Sequence, residues 1–478
     1  MTTTVETRVE DPRSGRAPAR HVPVWLAIVA ASLPMFMATL DNLVMTSALP
    51  VIRADLGASV GQLSWFMNAY TLTFATFMLP AATLGDRLGR RRVMLAGLTV
   101  FTLASIASAL STTSEALIAA RAVQGLGAAA IMPLSLTLLA AAVPPAMRSA
   151  AIGIWGGVSG LGVALGPVVG GAVVEGVSWQ AIFWLNVPVA AVAAPLLVIA
   201  VRESRGAWQR LDLLGAILLG GAVFLGIWGI VHGNDDGWSD PRVLGPLVVA
   251  VLLVPAYLRW ARGRSYAVLP LRLFADRGFS VANVIALFFT IGMFGTVFLL
   301  AQYLQVVQGY TPLEAGLRTL PWTAAPMVVA PLAGLLAPRT GLRALLLVGL
   351  VLQTGSLVWF AVLTESAAGY SSFVPALLMA GVGMGLTFAP MATAVLEGLP
   401  EDDFAMASSA NSTIREFGVA LGIALLTAVF LGNGGAISPV GYDGAIGPAL
   451  LTGAAAVAVA GLAALLAPGR QRDGAPRA

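Results

Sequence analysis

The chain has 478 residues, 58% of them hydrophobic and only 10% charged, which leaves too little polar surface for a soluble globule. It has no cysteine and only two histidines, His21 and His232, so disulfides and thiolate metal sites are excluded and no metal or cofactor is expected. The net charge of +4 rests on 27 arginines and no lysine, and their distribution reflects membrane topology, not nucleic-acid binding.

Apolar stretches of about 20 residues recur along the whole chain. They predict an all-α polytopic membrane protein with fourteen spans, beginning near Val24, Val60, Val93, Ala116, Ala150, Trp179, Leu213, Leu244, Phe279, Leu313, Leu342, Phe373, Met406 and Ile446. Residues 1–22 are polar and no small-residue cleavage site follows the first span, which is therefore read as a retained helix. Starting inside, 22 arginines fall in cytoplasmic tails and loops and only Arg53 and Arg242 in external loops. That bias places both termini in the cytoplasm of a multi-pass plasma-membrane protein. The all-arginine, alanine-rich composition points to a GC-rich bacterial genome. No phosphate loop, Ser-His-Asp set or nucleotide-binding domain is visible, so neither an enzyme nor an ATP-driven pump is expected.

In chain order, the first chemical signal is Asp41 within LDNLVMTSALP of the first span. An ionised carboxylate there costs several kcal/mol unless it is paired or hydrated, so it is a candidate proton carrier. Span two offers Trp65, Asn68 and Tyr70, which either line a cavity or anchor the membrane interface. After it comes ATLGDRLGRRR, with Asp86, Arg87, Gly89, Arg90 and Arg91 in a tight cytoplasmic loop. Gly89 permits the turn, Asp86 is expected against a helix N-terminus, and the arginines are expected to pair with Glu401, Asp402 and Asp403 when the inner side closes. In the fourth span RAVQGLG places Arg121 at the depth of Asp41, which predicts a pair across the cavity, with Gln124 a further cavity candidate. Gly162, Gly166 and Gly170 of the fifth span recur every four residues, with Gly156 and Gly160 extending the stripe. Pro167 marks a kink and Gly171 ends the run. Gln302 of span nine is a cavity candidate or a polar cap. Arg415 and Glu416 of span thirteen are adjacent, so one of them is expected to face the cavity. Glu416 is a second proton or cation site, or half of an ion pair.

The pentapeptide GVALG occurs at Gly162–Gly166 and again at Gly418–Gly422, an offset of 256 that also superposes Gly125 and Gly127 on Gly381 and Gly383. Arg87, Gly89 and Arg91 likewise fall near Arg339, Gly341 and Arg343. The organisation expected is a cytoplasmic tail (1–22), a six-helix half (23–201), a linker with two extra spans (202–276), a second six-helix half (277–467) and a cytoplasmic tail (468–478).

These segments together resemble the major facilitator superfamily, and the span count points to its drug:proton antiporter family with fourteen spans. GVALGPVVGG is similar to the family's antiporter signature, GDRLGRRR to its cytoplasmic loop motif, and RAVQGLG and LDNLVMTSALP to its fourth- and first-span motifs. SWFMNAY, WLNVP and LQVVQGYTPLEAGLRTLP add to the likeness. Ala82 departs from the glycine that usually opens the loop motif, Gln180 from a frequent arginine, and the tenth span lacks an acid found in exporters of divalent organic cations. The resemblance implies a major facilitator fold and proton-coupled export of amphipathic small molecules, such as drugs or antibiotics, by alternating access. Partners implied are that substrate, protons and the lipid bilayer, with no nucleic acid, and the monomer is the expected working unit. A lipid flippase or a solute importer on the same scaffold, and a channel or receptor, are the alternatives.

Overall fold

The structure is a computed structural model that describes residues 23–467 except 145–146, 207–209, 367 and 401–402. Its long helices are α1 (Val24–Leu56), α2 (Val60–Leu88), α3 (Arg90–Ala109), α4 (Ser114–Ala142) and α5 (Arg148–Gly176). A short α6 (Ala181–Trp184) and α7 (Asn186–Ala200) together make the sixth span. Then follow α8 (Leu213–Asp236), α9 (Pro241–Ala261), α10 (Arg277–Val306), α11 (Pro312–Thr340), α12 (Leu342–Glu365), α13 (Tyr370–Leu396), α14 (Phe404–Gly432) and α15 (Ile446–Ala464). Every expected span start lies within three residues of a helix start. By length and apolar composition thirteen stretches among the described residues qualify as spans. The fourteenth is α2, equally long but diluted by Gln62, Asn68, Asp86 and their polar neighbours.

Local chemistry sets the helix boundaries. Ser59 and Gln62 form a capping box that opens α2, as Thr311 and Glu314 do for α11. Gly89 and Gly341, at φ of 116° and 82°, join α2 to α3 and α11 to α12, a left-handed geometry that a side chain would strain. These are the two loops that the repeat superposes.

The helices pair by the same scheme twice. In α1–α7, α5 packs on α1, α2 on α4, α3 on α4, and α7 on α1 and α3. In α10–α15, α14 packs on α10, α11 on α13, α12 on α13, and α15 on α10 and α12. Glycines allow the close approaches. A Cβ on Gly166 would sit 2.5 Å from Leu43 Cβ, and one on Gly170 would sit 2.6 Å from the Val44 carbonyl oxygen of α1. Gly418 and Gly422 meet α10 at Leu287, Thr290 and Ile291 in the same manner. The two GVALG segments therefore seat equivalent helices within their own bundles.

Between the bundles, α5 faces α11 and α2 faces α14. Only the first glycine run crosses over, because Gly171 leaves room for the backbone of Pro312 and Leu313, and Gly316 leaves room for the Pro167 carbonyl. Around this seam Ser47 Oγ donates to the Pro167 carbonyl at 2.9 Å, Gln305 Nε2 to the Ser47 carbonyl at 3.1 Å and Arg53 Nη1 to the Ile437 carbonyl at 3.0 Å. All of these lie at or toward the end of the bundle remote from Pro23 and Ala467, and they seal it. At the end that holds Pro23 and Ala467 the bundles part: Gly153, Gly156, Gly157 and Gly160 face open space. Gly156 and Gly160 thus line a gap and do not extend the packing stripe, since α1 and α11 diverge from α5 below Gly162.

The inserted helices occupy one seam. Thr76 of α2 packs against Gly220 of α8, Trp65 lies 5.6 Å from the Phe224 ring and 6.0 Å from that of Trp228, and Asn234 donates to the Ala428 carbonyl of α14. Helix α8 therefore touches both bundles where α2 meets α14, while α9 rests on α8.

Because the chain has no native cysteine, single introduced cysteines report exposure without background. Gly171→Leu should clash with Pro312 and open the sealed end, seen as a rise of about fivefold or more in maleimide labelling of Gln305→Cys. Unchanged labelling would mean that the α5–α11 seam does not hold that end shut.

Candidate functional site

A cavity of about 620 Å³ lies between the bundles and opens at the end that holds the described termini. Its wall comes from α1, α2, α4 and α5 on one side and α10, α11, α13 and α14 on the other. Most of that wall is apolar, through residues such as Phe74, Met132, Phe294, Met327, Met384 and Phe388. Thr39, Asn42, Ser159, Thr290 and Thr323 add hydroxyls and one amide. This composition suits a largely apolar guest fixed by a few polar contacts.

One residue layer behind the wall sits the most polar cluster of the first bundle. Arg121 Nη1 donates to Asp41 Oδ2 at 2.6 Å, and both side chains are sealed from solvent. Gln124 Nε2 and Asn186 Nδ2 donate to Asp41 Oδ1 at 2.9 and 2.6 Å, and both also reach Ser105 Oγ. Arg121 is held further by the Phe66 carbonyl and Gln124 Oε1, with its guanidinium carbon 4.3 Å from the centre of the Tyr70 ring. Tyr70 also lines the cavity and is the partition between it and the ion pair. The expected pairing of Asp41 and Arg121 is present, but it runs inside one bundle and not across the cavity, because α1 and α4 pack directly on one another.

The other expected residues fall as follows. Arg415 and Glu416 both line the cavity, where only one was expected to, since the widening cavity meets two adjacent faces of α14. Gln124 belongs to the Asp41 cluster and does not line the cavity. Trp65 points to α8, on a different face of α2 from Tyr70 and Phe74. Asn68 is fully buried and also stands off the cavity wall. Gln302 is buried in the sealed end with Nε2 on the Phe298 carbonyl, so it is not a lining residue either.

In the loop, Asp86 Oδ1 accepts from Arg90 Nε at 2.8 Å. The acid at a helix N-terminus is Glu203, not Asp86: its carboxylate accepts the backbone N–H groups of Arg91 and Arg92 that open α3. A Cβ on Gly89 would meet that carboxylate at 2.7 Å. Arg91 donates to the Val198 and Val201 carbonyls, so the loop is clasped to its own bundle. Asp403 pairs with Arg272 at 2.6 Å and not with the loop arginines, while Glu401 and Asp402 lie outside the described residues. The guanidinium of Arg272 holds the Asp403 carboxyl below its usual range. Sequence reasoning assigned no role to Ser105, Asn186 and Glu203. Asn186 stands in the WLNVP segment, and an amide at the break between α6 and α7 is the signal that points to it.

A twice-repeated six-helix bundle around a central cavity, open at one end, is the architecture of an alternating-access transporter. The family model of the Major Facilitator Superfamily matches residues 31–423, and the chain belongs to that family. It is 32% identical over 445 residues to the tetracenomycin C resistance and export protein of Streptomyces glaucescens, covering 91% of this chain and 82% of that protein. It is 36% identical over 408 residues to the multidrug resistance protein Stp of Mycobacterium tuberculosis, covering 84% and 75%. Among solved structures, the nucleoside transporter NupG superposes with a TM-score of 0.65 at 12% identity over 92% of this chain and 99% of that one. The peptide transporter POT does so at 0.65 and 17% identity over 94% and 97%, and both likenesses concern the fold.

Removing either charge of the buried pair strands the other. Asp41→Asn and Arg121→Gln alone should each cost about 3 kcal/mol or more. The double variant should cost less than the sum, a coupling read as a smaller loss of thermal stability in detergent. Strict additivity would deny the pair its structural weight.

Proposed function

We propose that the protein is a proton-coupled exporter of amphipathic small molecules in the bacterial plasma membrane, working as a monomer by alternating access. The observation that carries this reading is a charged pair, Asp41–Arg121, sealed one layer behind a large, mostly apolar cavity that opens at one end only. The arginine distribution favours a cytoplasmic position for both termini, and with that orientation the open end is the one from which an exporter loads. Relatives bearing names of drug resistance and antibiotic export support the direction.

Protonating Asp41 in this arrangement would leave Arg121 buried without a counter-charge, a cost of several kcal/mol. Proton uptake therefore requires α1 and α4 to shift against each other within their own bundle, a movement that comes in addition to the rocking of the two bundles. Tyr70 and Asn42, both on the cavity wall and both next to the pair, link guest binding to that movement. Glu416, which faces the cavity directly, is the second carboxylate that a proton reaches. The Asp86–Arg90 loop and the arginines beside it meet the other bundle only when the cytoplasmic end closes.

In proteoliposomes, the monodisperse fraction of Asp41→Asn should show no substrate-driven proton movement, with at least a tenfold fall in the coupled flux per folded molecule. Unchanged proton movement would sink the coupling role. Replacing Gly166 by Ala should depress turnover comparably in the protein that remains monodisperse, because a Cβ there falls 2.5 Å from Leu43 Cβ and forces α1 and α5 apart.

A further inference from the structure

We propose that the cavity takes an amphipathic zwitterion, its acidic group docked on Arg415 and its basic group on Glu416. The proposal deepens the export reading above and rests on it for direction only. Arg415 and Glu416 are the only arginine, aspartate, glutamate or histidine side chains on the described cavity wall. They are consecutive on α14, so their side chains leave the helix about 100° apart and present two separate charges to one guest. The ion pairs among the described residues include neither of them. Asp41, the other carboxylate close to the cavity, already accepts from Arg121, Gln124 and Asn186 and sits behind Tyr70.

The surroundings match each charge to a chemistry. The Arg415 guanidinium lies 5.7 Å from the centre of the Phe388 ring, and Phe294 and Met384 line the same region. A planar fork beside aromatic faces suits a carboxylate or phenolate carried on a flat ring system. Glu416 accepts from an ammonium group, and the carboxylate holds either that ammonium or a proton, so guest and proton compete there. A purely cationic guest leaves Arg415 uncompensated in a low-dielectric wall, and a purely anionic one meets the negative charge of Glu416. A zwitterion answers both and keeps the cavity neutral. The remaining wall is mostly glycine and apolar side chains, with uncharged polar groups at Thr39, Asn42, Tyr70, Ser159, Thr290 and Thr323, and it accommodates the body of the guest without adding a further charge.

The test uses the full chain and one fluorescent fluoroquinolone in three forms: the parent zwitterion with free carboxylate and amine, its N-acetyl derivative as the anion, and its ethyl ester as the cation. Binding is read by tryptophan quenching of purified protein, and transport by uptake into everted vesicles with an imposed proton gradient. The wild type should bind the parent about tenfold more tightly than either derivative. Arg415→Gln should shift the preference to the ester and Glu416→Gln to the N-acetyl form, while Arg415→Lys keeps the parent first. Equal binding of all three forms by the wild type, or the same order of preference in both Gln variants, would overturn the proposal. Gln variants that no longer run as monodisperse protein leave the wild-type preference and Arg415→Lys to decide it. Should the charge pattern hold in binding while no form is moved into energised vesicles, the export reading fails and the zwitterion site stands. Gradient-driven uptake without charge preference removes the zwitterion site and leaves export standing.

Discussion

A carboxylate and a guanidinium placed inside an apolar bundle impose more on this protein than any other contact. Asp41 and Arg121 are tolerable there only as a pair, and only because Gln124, Asn186, Ser105 and the Phe66 carbonyl answer most of the remaining hydrogen-bonding capacity. That requirement ties five elements together: α1 and α4 carry the charges, α2 supplies a carbonyl and the Tyr70 ring, α3 supplies Ser105, and the break between α6 and α7 supplies Asn186. The second bundle has no counterpart. Thr296 and Leu377 stand where the repeat places the charges, and packing there is apolar around Phe298, Phe360 and Phe373.

The same asymmetry marks the helix seams. Both GVALG segments let a helix approach its neighbour within its own bundle, so the repeat explains stability in each half. Only the first continues through Pro167 to Gly171, and only its glycines let the backbone of the opposite bundle close in. The same glycine spacing thus serves packing within each bundle, and in α5 it also serves the seam with α11. The inserted α8 adds a further inequality, because it bridges α2 and α14 while α5 packs on α11 directly.

The spans were legible because a bilayer demands long apolar helices, and the charged pair because a carboxylate within such a helix stands out against it. Asn186 and Ser105 were not, since neutral polar residues occur in many spans and only tertiary packing singles these out. Trp65 and Gln302 stay ambiguous in the sequence, between cavity wall and interface anchor or polar cap, for a related reason: a helix apolar all round gives no clue to which face meets a void, and both stand off the wall. The pairing of the loop arginines with Glu401, Asp402 and Asp403 is expected of a closed inner side, and in this open form Asp403 pairs with Arg272 instead, while Asp86 pairs with Arg90 four residues on and Glu203 takes the N-terminus of α3. The placement of α8 at the α2–α14 seam has no sequence signal either.

Four glycines, Gly153, Gly156, Gly157 and Gly160, turn a bare stretch of α5 toward the void. Helical backbone already bonded to itself offers a guest neither hydrogen bonds nor shape to match, so that wall is indifferent to what slides along it. Discrimination must come from the side chains that the other wall helices present, from Thr39, Asn42 and Tyr70 to Met327, Phe388 and Arg415. Variants selected for a changed range of tolerated compounds should therefore accumulate on those helices and leave the glycine wall untouched.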